Sequence, residues 1–268
     1  MTVYTVALSK GGSTKTTTAA ELIAALARAG RSVLAIDLDQ QGNLTTRCGL
    51  NRSSEVEADA ADVLLGNATI TQAAVPAASV PGAHVIAGTH ALAQVDARPE
   101  VVTVLRDRLP IDAGEWDDVV IDTPPALGLI TLAALAAADV IVASVACEAE
   151  AYDQLDRLVQ VTAQRVARTL RTGQDVRWII PTRFDRRRLI DGEVVDLLNE
   201  KYPNKVTRPI REAVAAKDAY SAGQPVSAYA PTSGIANDYA EALAQIIGTD
   251  PSHETTQTNG TASTKETA

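Results

Sequence analysis

Lys10-Gly11-Gly12-Ser13-Thr14-Lys15-Thr16-Thr17 stands directly behind the apolar run at residues 3–8, and its reading decides the fold. The order predicts a strand, a glycine-rich turn and a helix that starts near Lys15. Such a turn aims a row of backbone N–H groups at one point, backed by the positive end of a helix dipole, which suits a polyphosphate. Lys15 is placed to reach the terminal phosphates, and the Thr16 hydroxyl to ligate Mg2+. A second lysine, Lys10, opens the turn, so the loop carries a cation at both ends.

Outward from this loop, strand-like apolar runs recur at residues 33–36, 118–121, 140–145 and 176–180, with a further candidate at 84–87. Helical patterns lie at 17–29, 129–137, 152–170 and 192–201, then at 212–221 and 235–247. The alternation, with runs too continuously apolar for one wet face, predicts an α/β fold: a mostly parallel, twisted sheet with helices on both faces. Between residues 41 and 115 the pattern loosens to helices at 58–65 and 100–109 around a Pro/Ala loop at 75–82. That stretch reads as an insertion in a single domain spanning 1–248. Residues 249–268 are Thr, Ser, Asn and Gly-rich with almost no apolar side chains, so a disordered polar tail is expected.

Two strands end in carboxylates. Leu34-Ala35-Ile36-Asp37-Leu38-Asp39 closes one and Val119-Val120-Ile121-Asp122 the other, at the strand ends where open α/β sheets hold ligands. An aliphatic strand ending in Asp suits a carboxylate that holds Mg2+, often through water.

These elements, in this order, resemble the ParA/MinD group of P-loop ATPases. Lys10-Gly11-Gly12-x-x-Lys15-Thr16-Thr17 resembles that group's deviant Walker A motif, Asp37-Leu38-Asp39-Gln40-Gln41-Gly42-Asn43 its DxDPQGN segment, and Asp122-Thr123-Pro124-Pro125 its Walker B strand and switch. Ala146-Cys147-Glu148, residues 182–187 and Arg208-Pro209-Ile210-Arg211 resemble further segments of the same group. The resemblance implies an ATP hydrolase, slow and partner-stimulated, with ATP and Mg2+ as cofactors. It implies a sandwich homodimer in which Lys10 reaches the partner subunit's phosphates. Lys10, Lys15 and Asp39 would be catalytic, Asp39 positioning the attacking water. Residues 10–17 and Pro209 would bind ATP, and Thr16, Asp37 and Asp122 would serve the Mg2+.

In these segments two positions depart, Gln40 where DxDPQGN has proline and a second in the phosphate loop. Thr14 stands where the resembled motif has glycine, and a β-branched residue at positive φ is strained by about 1–3 kcal/mol. From this steric argument Thr14→Gly is expected to bind ATP at least as tightly and to hydrolyse it faster.

Net charge is −9, but its distribution is uneven: residues 165–217 carry 13 Lys/Arg against 7 Asp/Glu, and the rest 11 against 26. Arg186, Arg187, Arg188 and Arg211 therefore read as candidate contacts to DNA phosphates, flanked by Lys205 and Arg208. Aromatic residues make up only 3%, which predicts an aliphatic core. Cys48 and Cys147 have no CxxC or Cys/His spacing, so neither a disulfide framework nor a metal site is expected, and a reducing cytoplasm fits. No apolar run is long enough for a membrane span.

The resemblance is nearer the partition ATPases than the MinD branch, because the chain ends in a polar tail rather than a basic amphipathic helix. It implies a plasmid or chromosome partition ATPase: an ATP-state dimer that coats double-stranded DNA without sequence preference and associates with the nucleoid. A ParB-type centromere-binding protein would stimulate its hydrolysis, and no membrane is involved. Two other readings stay open: a related ATPase positioning a non-DNA cargo, and a nucleotide-switched scaffold with negligible hydrolysis.

Overall fold

In the computed structural model, residues 1–8, 14–51, 54 and 56–248 are described. The predicted roles of Lys10, Gly11, Gly12 and Ser13 and the predicted tail at 249–268 lie outside the described residues. Strand β1 (Thr2–Ala7) is buried along its whole length, as are β2 (Val33–Asp37) and β5 (Asp118–Asp122). Continuous burial is what their continuously apolar sequences require, because a strand covered on both faces has no polar side to show.

The sheet runs β3-β4-β2-β5-β1-β6-β7, with β3 (Ala74–Pro76), β4 (Ala83–Ile86), β6 (Val140–Ala146) and β7 (Val176–Thr182) completing it. Every neighbouring pair is parallel except β3 with β4. From β1 the chain moves to β2 on one side; after β5 it moves to β6 and β7 on the other. The carboxyl ends of β1, β2 and β5 therefore meet at the point where the winding reverses, which is where such sheets leave a crevice.

Alternation along the strands sorts two layers. Tyr4, Val6, Ala35, Val120 and Val142 face α1 (Lys15–Arg28) and the C-terminal helix at Gly234–Gly248. Val3, Leu34, Ile36, Val119 and Ile121 face the opposite layer, built largely from the 41–115 region and from the helix at Leu129–Ala137. Helix α1 forms because Ala19, Leu22, Ile23 and Leu26 recur at helical spacing and are all buried. Each of the larger three contributes about 1.5–3 kcal/mol of burial. Gly30, at φ +81°, takes the left-handed position that ends the helix.

The 41–115 region supplies two strands to the common sheet. It also carries α2 (Asn43–Arg47), which the sequence pattern did not predict, and α3 (Ala60–Leu65), capped by a reciprocal Asp59/Asp62 box. The expected loop at 75–82 is corrected: its start is edge strand β3, paired antiparallel with β4. Three residues ending in proline carry too little alternation to read as a strand, but an edge position tolerates them. The helix expected over 152–170 stops at Val161 and continues as a π-type turn at Thr162–Val166. There the Thr162 hydroxyl donates to the Leu158 carbonyl and competes with the regular ladder. The helix expected from 212 begins at Ala215 as α4 (Ala215–Ser221), because Glu212 N–H is donated to Phe184 C=O instead.

Candidate functional site

Helix α1 and strand β5 converge on one contact. The Thr16 hydroxyl donates to Asp122 Oδ2 at 2.7 Å. The other oxygen, Asp122 Oδ1, is buried without a hydrogen-bond partner among the described residues. An orphaned carboxylate oxygen beside a hydroxyl is what a divalent cation or its bound water satisfies. Among the described residues no cluster of three or more His, Cys, Asp or Glu could cage a metal. A cation here would need ligands from a phosphate, the usual arrangement for Mg2+. Lys15, 6% exposed, stands beside this site. Burial pulls its pKa down against the opposing pull of Asp122 and Asp39, while burial pushes that of Asp122 up, with the neighbouring Asp37 adding to it.

Strand β2 delivers the other two carboxylates, and the structure separates their roles. Asp37 Oδ1 accepts from Asp39 N–H, and Asp37 Oδ2 accepts from both the amide and the hydroxyl of Thr45. Both Asp37 oxygens are thus engaged in folding the loop that carries Asp39. Asp39 lines the cleft, with Oδ1 accepting from Gln41 N–H. Gly88, after β4, was not singled out in the sequence and is required here. A Cβ on it would come within 2.6 Å of the Asp39 carbonyl oxygen and 2.8 Å of Asp37 Cγ. Its amide donates to the Thr45 hydroxyl and closes the network.

Thr14 does adopt the left-handed conformation, at φ +65°. Its hydroxyl is used: it lies 2.9 Å from the Ser144 hydroxyl on β6 and donates to the Thr182 hydroxyl on β7 at 2.7 Å. Ser144 and Tyr239 each bond in turn to the Thr18 hydroxyl, so a buried chain of hydroxyls ties the loop's end to two strand tips and the C-terminal helix. The side chain is therefore held by the sheet.

These groups border a cleft of about 730 Å³ that runs from Lys15 and Asp39 to Ile210, Arg211 and Tyr220. Ile210 and Arg211 lie on its wall, whereas Pro209, predicted beside the nucleotide, is not among the residues lining it. A residue missed in the sequence, Arg47, also lines it and is buried. A lone arginine at the end of a five-residue helix gives no periodic signal that could have found it.

The basic segment is brought together, but as ion pairs. Arg187 bonds Asp185 through two nitrogens, Arg188 bonds Glu212 at 3.1 Å, and Arg211 bonds Asp238 at 2.6 Å. Arg208 and Lys205 pair with Glu241 and Asp175. Arg186 is exposed and has no ion pair among the described residues. Both cysteines are buried free thiols, and no described helix is long and apolar enough to cross a membrane.

Residues 1–174 match the sequence family described as AAA domain. The chain is 32% identical over 242 residues to the sporulation initiation inhibitor protein Soj of Bacillus subtilis, covering 88% of this chain and 94% of that protein. It is 35% identical over 234 residues to the chromosome partitioning protein ParA of Caulobacter vibrioides, covering 85% and 86%. Among solved structures it is similar to cobyrinic acid a,c-diamide synthase of Mycobacterium smegmatis with bound ATP analogue and magnesium. That match has a TM-score of 0.71 and 28% identity, covering 83% of this chain and 93% of that one.

Proposed function

The chain belongs to the ParA/MinD-type P-loop ATPases of the AAA-domain family, and from that premise we propose that it is an ATP-dependent DNA-partition ATPase. The observation that carries the chemistry is the Thr16–Asp122 contact with its orphaned carboxylate oxygen beside Lys15. Thr16 and Asp122 would hold Mg2+, which when bound neutralises phosphate charge. Lys15 binds the terminal phosphates, and Asp39, kept in place by Asp37, orients the water that attacks them. Lys10 completes the phosphate site of a partner subunit, so the ATP state is a dimer.

In this reading the dimer binds double-stranded DNA through phosphates, using Arg186 together with Arg187, Arg188 and Arg211. Hydrolysis, slow alone and stimulated by a ParB-type protein, releases it. The arginines already pair with carboxylates, so binding DNA means exchanging those partners for phosphates. Exposed ion pairs contribute at most about 1 kcal/mol each, so the exchange is feasible, and doubling the patch by dimerisation favours it. The same pairing favours a second reading, an ATPase of this group that positions a non-DNA cargo, because a compensated surface offers little net positive charge.

Co-sedimentation with DNA in ATP, in ADP and without nucleotide tests the choice. Sedimentation only with ATP, lost on charge reversal at Arg187, Arg188 and Arg211, is the expected result. Hydrolysis without DNA binding in any state would move the reading to the non-DNA cargo. ATP binding without turnover would leave a nucleotide-switched scaffold.

A further inference from the structure

Arg47 ends α2 at 5% exposure and makes no ion pair among the described residues. Its guanidinium donates only to neutral acceptors: the Thr17 hydroxyl oxygen at 3.1 Å, the Ala216 carbonyl at 3.1 Å and the Gln224 carbonyl at 3.3 Å. It also lies over the Tyr220 ring, 5.3 Å from the centroid. It feels the field of two buried carboxylates, Glu21 and Asp122, but bonds neither: Glu21 accepts from the amides of Val226 and Ser227, and Asp122 from the Thr16 hydroxyl. A buried cation without a direct ion pair is costly, and a fold that retains one in a cleft wall has an anion to gain there. Burial accordingly pulls its pKa below the usual arginine range.

The contact to Thr17 gives the direction. Thr17 lies in the first turn of α1 and lines the cleft together with Lys15 and Thr16. With Arg47 Nη2 donating to Thr17 Oγ1, one acceptor site of that oxygen is filled. The Thr17 hydroxyl proton finds no acceptor among the described residues and is left to donate into the cleft.

We propose that Arg47 is a positioning residue for nucleotide binding: it orients the Thr17 hydroxyl as a donor to a phosphate and sets a fixed positive charge behind it. The inference rests on the nucleotide reading above. The same guanidinium holds the α4 wall against α1 through the Ala216 and Gln224 carbonyls, so a structural role must be separated from the electrostatic one.

Arg47→Met, Arg47→Lys and Thr17→Val, alone and with Arg47→Met, make that separation when MgATP affinity is measured by titration calorimetry on protein shown to be folded. Arg47→Met should weaken MgATP binding by about tenfold, the scale of one lost charge-assisted hydrogen bond. Arg47→Lys should recover part of the loss. Adding Thr17→Val to Arg47→Met should cost less than it costs in the wild-type chain, because the two act in series. Equal affinities for Arg47→Met and Arg47→Lys, or additive losses in the double variant, would overturn the inference. Should Arg47→Met not fold, Arg47→Gln takes its place in the same comparison. Absence of MgATP binding in the wild-type chain would overturn the nucleotide reading itself, whereas wild-type binding that Arg47→Met leaves intact would overturn only the role of Arg47.

Discussion

Two charged regions contribute side chains to one cleft and obey different rules. At the carboxyl ends of β2 and β5, Asp37, Asp39 and Asp122 are buried, with Lys15 and Arg47 beside them. Arg47 and the three carboxylates are fixed by named contacts, and one buried oxygen, Asp122 Oδ1, has no partner among the described residues. Around Arg183–Arg188, Arg208 and Arg211 the charges are largely exposed, and most are matched with a carboxylate. Buried charge left short of partners is costly and points to a ligand. Exposed charge already paired costs little to keep, so its abundance in the sequence is a weaker guide to what binds.

The contrast breaks first at Lys15. Lys15→Ala should reduce MgATP affinity by about a hundredfold or more, because it removes a buried cation from the phosphate site. Calorimetric affinity within threefold of wild type would mean that the buried region is not a phosphate site.

Gly88→Ala comes next. A methyl group pressed onto Asp39 and Asp37 should displace the loop and lower turnover by about tenfold or more while ATP still binds, since small misplacements of a water-orienting group are expensive. Unchanged steady-state hydrolysis would show that the position of Asp39 is not what the loop protects.

For the exposed region, the informative change is to the acid. Asp238→Asn removes the charge that holds Arg211, so DNA affinity in the ATP state should rise by about threefold and the salt slope steepen by up to about 0.9. No change in either, in a salt titration of DNA binding, would remove Arg211 from the DNA face.

Thr14 has the smallest expected effect, because two terms oppose. Thr14→Gly relieves about 1–3 kcal/mol of backbone strain but forfeits hydrogen bonds to Ser144 and Thr182 of about 0.5–1.5 kcal/mol each. Its unfolding free energy should stay within about 1 kcal/mol of wild type. Thr14→Val keeps the strain and loses the bonds, so it should be less stable than both. Thr14→Val matching wild type in chemical denaturation would show that the hydroxyls hold nothing.

The family and the doubly wound sheet were legible in the chain itself. Burial on both faces forces continuous apolar runs, and the phosphate loop and the two carboxylate strand ends are local motifs whose chemistry depends on neighbours in sequence. For the same reason Lys15, Thr16, Asp39 and Asp122 could be proposed as site residues from the sequence. What only the tertiary structure decided depends on residues far apart in sequence. Asp37 braces a loop because Thr45 and Asp39 fold back on it, and Gly88 is needed because a strand 50 residues on from β2 packs against that loop. Thr14 is held by hydroxyls from β6 and β7, and the arginines are matched by acids from other elements. Arg47 makes no ion pair among the described residues, because Glu21 is taken up by the amides of Val226 and Ser227. Local pattern records what each segment buries; whether a buried or charged group finds its partner is settled by the packing of distant segments, and no periodicity carries it.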